Sequence, residues 1–181
     1  MRVIAGSAKG TRLTRVPAGT RPLSDRAREG LFSSLGETVA GATVADLYAG
    51  TGACGIEALS RGANRCAFVD SSASSIKAIH ENLDRTRMAE RARVVRSDVR
   101  TFLARERGTF DLAILDPPYE IPEPELTAGL ALLVDRLDPN GVFVLTRPAS
   151  RDATDVIPID WPAAKLLRYG DARILVCRRQ P

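Results

Sequence analysis

Short apolar runs alternate with amphipathic stretches through most of the chain, and this alternation predicts its main elements. Five runs rich in apolar residues are predicted as strands, at residues 43–48, 65–69, 93–96, 110–115 and 141–146. Helices are predicted between them, through Glu57 and Leu59 to Gly62, over residues 74–87, around Phe102 and over residues 126–137. This order predicts an α/β fold with a mostly parallel sheet and helices on both faces.

The C-terminal part of the chain departs from this alternation. Residues 165–169 and 173–178 have the pattern of two strands, and only the turn Gly170-Asp171 joins them. Strands joined so closely must run antiparallel. The sheet is therefore predicted to have seven strands and to end in an antiparallel hairpin.

The N-terminal part carries a second predicted hairpin. Residues 3–5 and 11–16 have strand character and flank the loop from Gly6 to Gly10. Ser24 is a candidate N-cap for a helix that runs to about Leu35.

Composition bounds the number of domains. The chain has 181 residues, of which 44% are hydrophobic, and this supports one full core but not two independent enzyme domains. We expect a single domain over residues 1–181, with residues 1–20 as a basic β-hairpin extension.

The net charge of +4 is unevenly distributed. Residues 1–30 and 165–181 are both net positive, whereas the middle of the chain is net negative. A basic rim of this kind is typical of a phosphate-binding surface, although solvated strand faces would give the same pattern about as often.

Several classes of protein are disfavoured. The longest apolar runs are far shorter than the roughly 18–20 residues of a membrane helix, and the first ten residues lack the apolar region of a signal peptide. We therefore expect no membrane span and a cytoplasmic location. The three cysteines form no C-x-x-C pair, so we expect no metal site and no disulfide framework; the cysteines are Cys54, Cys66 and Cys177.

A glycine-rich turn indicates a nucleoside cofactor. Gly50, Gly52 and Gly55 satisfy G-x-G-x-x-G where the first strand of the α/β region turns into its helix. Glycines at the first two positions would let the backbone turn and approach a ligand. Asp70, at the end of the next strand, is placed to bind a ribose diol.

The acidic residues favour a methyl donor over a dinucleotide. Asp46 precedes the glycine turn and would repel a pyrophosphate, but it would attract the ammonium and sulfonium of a methionine moiety. Asp98 follows the third strand and could accept a hydrogen bond from an adenine amino group, although capping the next helix explains it equally well. Three acids at three successive strand ends would share the edge where open α/β sheets bind ligands.

The tetrad Asp116-Pro117-Pro118-Tyr119 follows a strand and is the candidate catalytic site. Two prolines stiffen the loop and donate no N–H, so it presents acceptors. If the Asp116 carboxylate and the Pro117 carbonyl each accept an N–H of an exocyclic base amine, the nitrogen can direct its lone pair at a methyl group. Tyr119 would stack on the base. An ordinary turn after a strand is the alternative.

These motifs resemble those of the bacterial 16S rRNA guanine-N2 methyltransferases. The resemblance covers nearly the whole chain, and its matching stretches are residues 2–6 with Lys9-Gly10, residues 20–22 with 25–26 and 28–29, 46–55, 57–63, 116–119 and 169–171. It implies a class I, Rossmann-like methyltransferase that uses S-adenosylmethionine and acts on 16S rRNA or the small ribosomal subunit, without a metal and as a monomer.

The resemblance also implies residue roles. Asp46, Gly50 and Gly52 would approach the methionine part of the cofactor, Asp70 the ribose, Asp98 the adenine and residues 116–119 the target guanine. Further cofactor-binding positions would be Tyr48, Ser71, Val99 and Asp116. The residues expected to bind RNA are Arg2, Lys9, Arg12, Arg15, Arg21 and Arg26.

Other functions stay open at this point. DNA adenine-N6 methylation and protein glutamine methylation use related loops, although the latter usually begins its tetrad with Asn. A nicotinamide-dependent oxidoreductase would fit the glycine turn, and an RNA-binding module without catalysis would fit the basic ends.

Overall fold

A computed structural model describes residues 1–14, 23–150 and 154–179. It confirms the predicted α/β fold, with one seven-stranded sheet in the order β3-β2-β1-β4-β5-β7-β6. The strands are β1 Thr43–Leu47, β2 Arg65–Asp70, β3 Ala92–Arg96, β4 Phe110–Leu115, β5 Leu137–Pro148, β6 Ala163–Tyr169 and β7 Ala172–Arg178. The helices are α1 Asp25–Leu35, α2 Ala53–Ser60, α3 Ala73–Thr86, α4 Val99–Arg105 and α5 Glu123–Val134.

Strand direction follows the prediction. Strands β1 to β5 run parallel to one another. Strand β7 runs antiparallel to both β5 and β6. Because β2 and β4 lie on opposite sides of β1, the chain changes direction of winding there. In open sheets this switch point is where ligands bind, beyond the carboxyl ends of the strands.

Alternate residues of each strand pack on opposite faces, so the sheet has two cores. On one face Val44, Leu112 and Val144 pack in a cluster that includes residues of α1, α2 and α3. On the other face Ala45 and Leu115 pack with residues of α4 and α5. Helices therefore cover both faces, as predicted.

The predicted boundaries of α5 and β5 were wrong. The helix starts earlier than predicted and ends at Val134, and Leu137 already belongs to β5. Leu137 pairs with Phe110, and the register shifts between Phe110 and Leu112. The polar stretch Asp138-Pro139-Asn140 therefore lies in an irregular part of β5, between the positions at which this strand pairs with β4.

The N-terminal segment is less regular than the predicted hairpin of two strands. Its arms are joined by one antiparallel bridge between Arg2 and Arg12, and residues 15–20 of the predicted extension lie outside the described range. Val3 and Leu13 are buried and join the core. The described part of the segment is thus packed onto the sheet layer.

Helix starts follow the expected capping chemistry. The Ser24 hydroxyl accepts a hydrogen bond from the backbone N–H of Ala27, which confirms it as the N-cap of α1. Across the described ranges, none of the helices has the length and apolar character needed to span a bilayer.

Candidate active site

A cavity of about 550 Å³ opens beyond the carboxyl ends of β1 to β4. Its volume falls in the usual range for sites that bind small molecules. The predicted cofactor-binding residues that line it are Asp46, Tyr48, Gly50, Asp70, Ser71, Asp98 and Val99. The predicted catalytic loop, residues 116–119, lines the same cavity. The fold therefore brings residues from four strand ends to one place.

The turn after β1 adopts left-handed backbone conformations. Tyr48, Gly50 and Gly52 have φ values of 59°, 55° and 75°. Such values suit glycine but are uncommon for tyrosine, so Tyr48 marks a constrained position. Burial and the nearby Glu125 and Asp98 raise the pKa of its hydroxyl to about 12, so it remains neutral.

Gly52 packs closely against neighbouring side chains, and its approach to a ligand stays a prediction. It is not a lining residue of the cavity, and a Cβ at this position would lie 3.2 Å from Phe68 and Ile79. A Cβ at Gly55 would lie only 2.3 Å from the Phe68 ring. Both glycines let α2 approach β2 closely, and Gly50 alone of the three lines the cavity.

Asp70 orders the loops on either side of β2. Its Oδ2 accepts a hydrogen bond from Gly50 N at 2.8 Å, and its Oδ1 accepts one from Ser72 N at 2.9 Å. A carboxylate held by two backbone donors has a fixed orientation, and each oxygen retains acceptor capacity for a diol.

Asp46 is the most deeply buried acid of the site. It is 2% exposed, and one of its oxygens accepts a hydrogen bond from Gly55 N at 2.8 Å. Burial, together with the nearby Asp116 and Asp70, raises the pKa of the carboxyl group to about 8, against the opposing effects of Gly55 and Arg28. A bound cation would favour the ionised form.

The sequence position of Asp98 allowed two roles, as an acceptor for adenine or as the cap of the next helix, and the structure is compatible with both. Its carboxylate accepts a hydrogen bond from Thr101 N at 3.0 Å and so caps α4. It is also exposed and lines the cavity, as do Ser71 and the buried Val99. Helix capping therefore does not remove it from the candidate site.

Asp116 begins the loop after β4 and is held from two directions. Thr146 Oγ1 donates a hydrogen bond to Asp116 Oδ1, and the backbone N–H of Leu23 donates another to the carboxylate. Burial raises the pKa of Asp116 to about 6, while these two hydrogen bonds oppose the increase. In this loop Pro117 is buried and Tyr119 is half-buried at the cavity.

Sequence reasoning missed three residues of this site. Thr146 and Leu23 contact Asp116, and Arg28 lines the cavity. Thr146 lies on β5, which neighbours β4, so only the strand order identifies it as a partner. Ser24, recognised as the N-cap of α1, was the available signal, because Leu23 directly precedes it and Arg28 lies in the first turn of the helix.

Arg28 belongs to a buried charged cluster. Both Arg28 and Glu57 are 0% exposed, and Arg28 Nε lies 3.9 Å from Glu57 Oε2. Glu57 accepts hydrogen bonds from Ile4 N at 2.7 Å, from Ala5 N at 3.1 Å and from Arg61 Nε at 2.7 Å. The cluster therefore fixes the N-terminal segment to α2.

A second contact joins the N-terminal segment to the glycine turn. The buried Asn82 accepts a hydrogen bond from Thr14 N at 2.7 Å and donates one to the Thr51 carbonyl at 2.9 Å. Thr51 lines the cavity. The predicted RNA-binding segment is thus linked to the candidate cofactor site.

The predicted RNA-binding residues divide into two groups. Arg2, Lys9, Arg12 and Arg26 are exposed, as phosphate contacts require. Arg15 and Arg21 lie outside the described residues.

The three cysteines are buried and free. Burial raises the pKa of each thiol, to about 12 for Cys177, so all three remain protonated. In the part of the chain that the structure describes, no three His, Cys, Asp or Glu side chains are grouped to hold a metal.

Known proteins resemble the chain over most of its length. The model of the family described as Conserved hypothetical protein 95 matches residues 1–178. YlbH of Bacillus subtilis, provisionally named an rRNA methyltransferase, is 40% identical over 137 residues, which are 74% of this chain and 73% of YlbH. Ribosomal RNA small subunit methyltransferase D of Escherichia coli is 32% identical over 168 residues, covering 89% of this chain and 81% of the relative.

A solved structure from Thermus thermophilus shares the fold. It is described as the 16S rRNA N2 methyltransferase RsmC in complex with AdoMet and guanosine. The TM-score is 0.75 at 24% identity, and the match covers 91% of this chain and 45% of the other. At this identity the likeness establishes a common fold.

Proposed function

This chain belongs to the family of ribosomal RNA small subunit methyltransferase D, and we propose that it methylates a guanine of 16S rRNA. The methyl group comes from S-adenosylmethionine and is transferred to the exocyclic N2 amine. The substrate is the small ribosomal subunit or its RNA.

One observation carries the proposal. The acceptor loop that begins with Asp116 lines the same cavity as Asp46, Asp70 and Asp98. A cofactor bound along the three acids would therefore present its reactive group beside the loop, and this juxtaposition is what transfer to an amine requires.

The cavity suits S-adenosylmethionine in charge as well as in size. Asp46 can neutralise the positive methionine portion, Asp70 has oriented oxygens for the ribose diol, and Asp98 is available to the adenine amino group. The buried Asp46 disfavours a pyrophosphate in the same position. When bound, this cofactor supplies an electrophilic methyl group on sulfur.

The protein positions the target amine and supplies hydrogen-bond acceptors for its N–H groups. Asp116 and the carbonyl of Pro117 accept the two N–H groups of the target amine, so the nitrogen lone pair is free to form the new N–C bond as the S–C bond breaks. The amine loses one proton, to Asp116 or to water. Thr146 and Leu23 hold Asp116 in place during this step.

Guanine as the target is supported by a fold neighbour, and the acceptor character of the loop is compatible with it. The Thermus fold neighbour carries guanosine in its complex. The N2 amine of guanine offers two N–H donors and needs acceptors, which an aspartate and a carbonyl provide. Tyr119, half-buried at the cavity, is placed to stack on the extruded base.

The exposed basic residues of the N-terminal segment bind rRNA phosphates. Arg2, Lys9 and Arg12 lie on one short segment, and Arg26 lies on the first turns of α1. Binding of this kind positions the RNA without reading its sequence. We further propose that the enzyme acts in the cytoplasm as a monomer.

The test compares four substrates under one set of conditions. The protein is incubated with S-adenosylmethionine labelled in its methyl group and with one of four substrates. These are small subunits lacking their native methylation, free 16S rRNA, duplex DNA and a glutamine-containing protein. We expect label in the RNA of the subunits or in free 16S rRNA. Label only in DNA or only in protein would contradict the proposal.

A further inference from the structure

Arg28 is a buried cation whose hydrogen-bonding capacity is only partly used. Its side chain is 0% exposed. Nη2 donates to the carbonyl of Arg2 and, at 3.0 Å, to Asp25 Oδ1. Nε and Nη1 have no hydrogen-bond partner among the described residues. Buried N–H groups of a guanidinium are normally satisfied, so this deficit requires an explanation.

The neighbouring acids do not remove the deficit. Glu57 is the nearest other carboxylate, at 3.9 Å from Arg28 Nε, which is beyond hydrogen-bond distance. Glu57 is already engaged by Ile4 N, Ala5 N and Arg61 Nε. The guanidinium is therefore available to an additional anion.

The position of Arg28 indicates where that anion lies. Arg28 lines the same cavity as Asp46 and Cys54, and its charge lowers the pKa of both groups. The wall of the cavity thus carries one buried cation and one buried acid close together. An amino-acid zwitterion has the complementary pair of charges.

We propose that Arg28 recognises the α-carboxylate of the methionine moiety of S-adenosylmethionine, while Asp46 faces its positive groups. The inference rests on the proposed function and assigns a role to a residue outside the glycine turn and the acidic strand ends. Arg28 is thus a specificity-determining residue, which distinguishes an amino-acid nucleoside from nucleosides without a carboxylate.

Ligands with and without the carboxylate provide the test. Calorimetry measures the affinity of the wild-type protein for S-adenosylmethionine and for decarboxylated S-adenosylmethionine, which retains the sulfonium and an ammonium. We expect the wild-type protein to bind the complete cofactor about tenfold to a hundredfold more tightly, as for a charge-assisted hydrogen bond. In Arg28→Gln this preference should fall to within about threefold.

Two further variants separate recognition from folding. Arg28→Lys retains the charge and should keep part of the preference. Arg61→Gln removes another cationic partner of Glu57 that does not line the cavity, so it should keep the full preference. The ratio of two affinities on one protein is insensitive to a reduced folded fraction, and thermal unfolding establishes that each variant is folded.

Several results would overturn the inference. A wild-type protein that binds both ligands equally would exclude carboxylate recognition, whatever the variants do. Equal losses for both ligands in Arg28→Gln would assign Arg28 to structure alone. A loss of RNA affinity with an unchanged ligand ratio would indicate an RNA phosphate as the anion. Failure of the wild-type protein to bind either ligand would remove the cofactor assignment and this inference together.

Discussion

Thr146 Oγ1 donates a hydrogen bond to Asp116 Oδ1, and this contact joins β5 to the loop after β4 at the candidate catalytic residue. Thr146 is 1% exposed. The hydroxyl also lies 3.4 Å from the Leu115 carbonyl. By donating to Asp116, the threonine stabilises the ionised aspartate and holds one of its oxygens. The carboxylate also accepts the N–H of Leu23, and its two oxygens retain acceptor capacity for the target amine.

Replacing Thr146 with valine should move the pH dependence of catalysis. An acceptor role requires ionised Asp116, so kcat/KM of the wild-type protein should decline as the pH falls through about 6. Thr146→Val removes a donor to the carboxylate and raises its pKa further, so the decline should begin at higher pH. We expect a loss of about fivefold to tenfold near pH 6 that largely recovers at pH 8–9.

Thr146→Ser is the matched control because it retains the hydroxyl. Its pH profile should keep the wild-type position even if packing lowers the overall rate. A uniform loss at every pH in Thr146→Val would show that the residue only packs and does not hold the carboxylate.

Cofactor binding should be linked to ionisation of Asp46. The raised pKa, about 8, means that the free carboxyl group is largely protonated at pH 6–7, whereas a cationic ligand favours the carboxylate. Affinity should therefore rise as the pH is raised from 6 to 7.5, with release of close to one proton for each cofactor bound at pH 7. Calorimetry in buffers of different ionisation enthalpy measures this release.

Asp46→Asn should weaken cofactor binding by about tenfold to a hundredfold and abolish the proton release. Unchanged proton release in the variant would assign the released proton to another group. A wild-type affinity independent of pH between 6 and 7.5 would show that Asp46 does not meet positive charge.

Glu57 should stabilise the N-terminal segment. Glu57→Gln removes a buried charge that accepts from two backbone N–H groups and from Arg61, and it takes away one of the two carboxylates near the buried Arg28. We expect the free energy of unfolding to fall by about 3 kcal/mol. Hydrogen exchange of the Ile4 and Ala5 amides should accelerate more than exchange in the central strands.

The exposed Glu90 provides the control. Glu90→Gln should change neither the free energy of unfolding nor the hydrogen exchange of the Ile4 and Ala5 amides measurably. Unaltered exchange at Ile4 and Ala5 in Glu57→Gln would mean that other contacts, such as those of Ser60, hold the segment.

The affinity for rRNA should depend on the salt concentration through the basic N-terminal segment. Lys9→Gln and Arg12→Gln each remove one exposed cation, so each should reduce the slope of log K against log salt by about 0.7 to 0.9. Cofactor affinity should not change. Lys77→Gln, at an exposed position on α3, is the control and should leave the slope intact. An unchanged salt slope in all three variants would mean that the RNA does not contact the N-terminal segment.

The parts of the fold predicted from sequence are those with strong local patterns. The apolar run of β4 and the glycine turn after β1 each determine a local structure, and the parallel arrangement follows from their alternation with helices. Leu137 was missed as strand because it pairs with Phe110 of β4, which local composition does not reveal. The polar residues after it belong to an irregular part of β5.

The candidate site shows the same division. Asp116 and Asp70 follow apolar strands and could be identified from position alone. Thr146 contacts Asp116 because β5 neighbours β4, and Leu23 contacts it because of where α1 is placed. Neither feature can be read from local sequence. Arg28 was not predicted as buried because arginine is rarely buried without a specific partner.

The most direct test of the central claim identifies the methylated atom and its dependence on Asp116. Small subunits lacking native methylation are treated with S-adenosylmethionine deuterated in its methyl group, and the nucleosides are analysed by mass spectrometry for wild-type protein and Asp116→Ala. The account predicts deuterated N2-methylguanosine with wild-type protein and at least about a hundredfold less with the variant, although the variant still binds cofactor. Methyladenosine as the product, or N2-methylguanosine formed equally by Asp116→Ala, would contradict it.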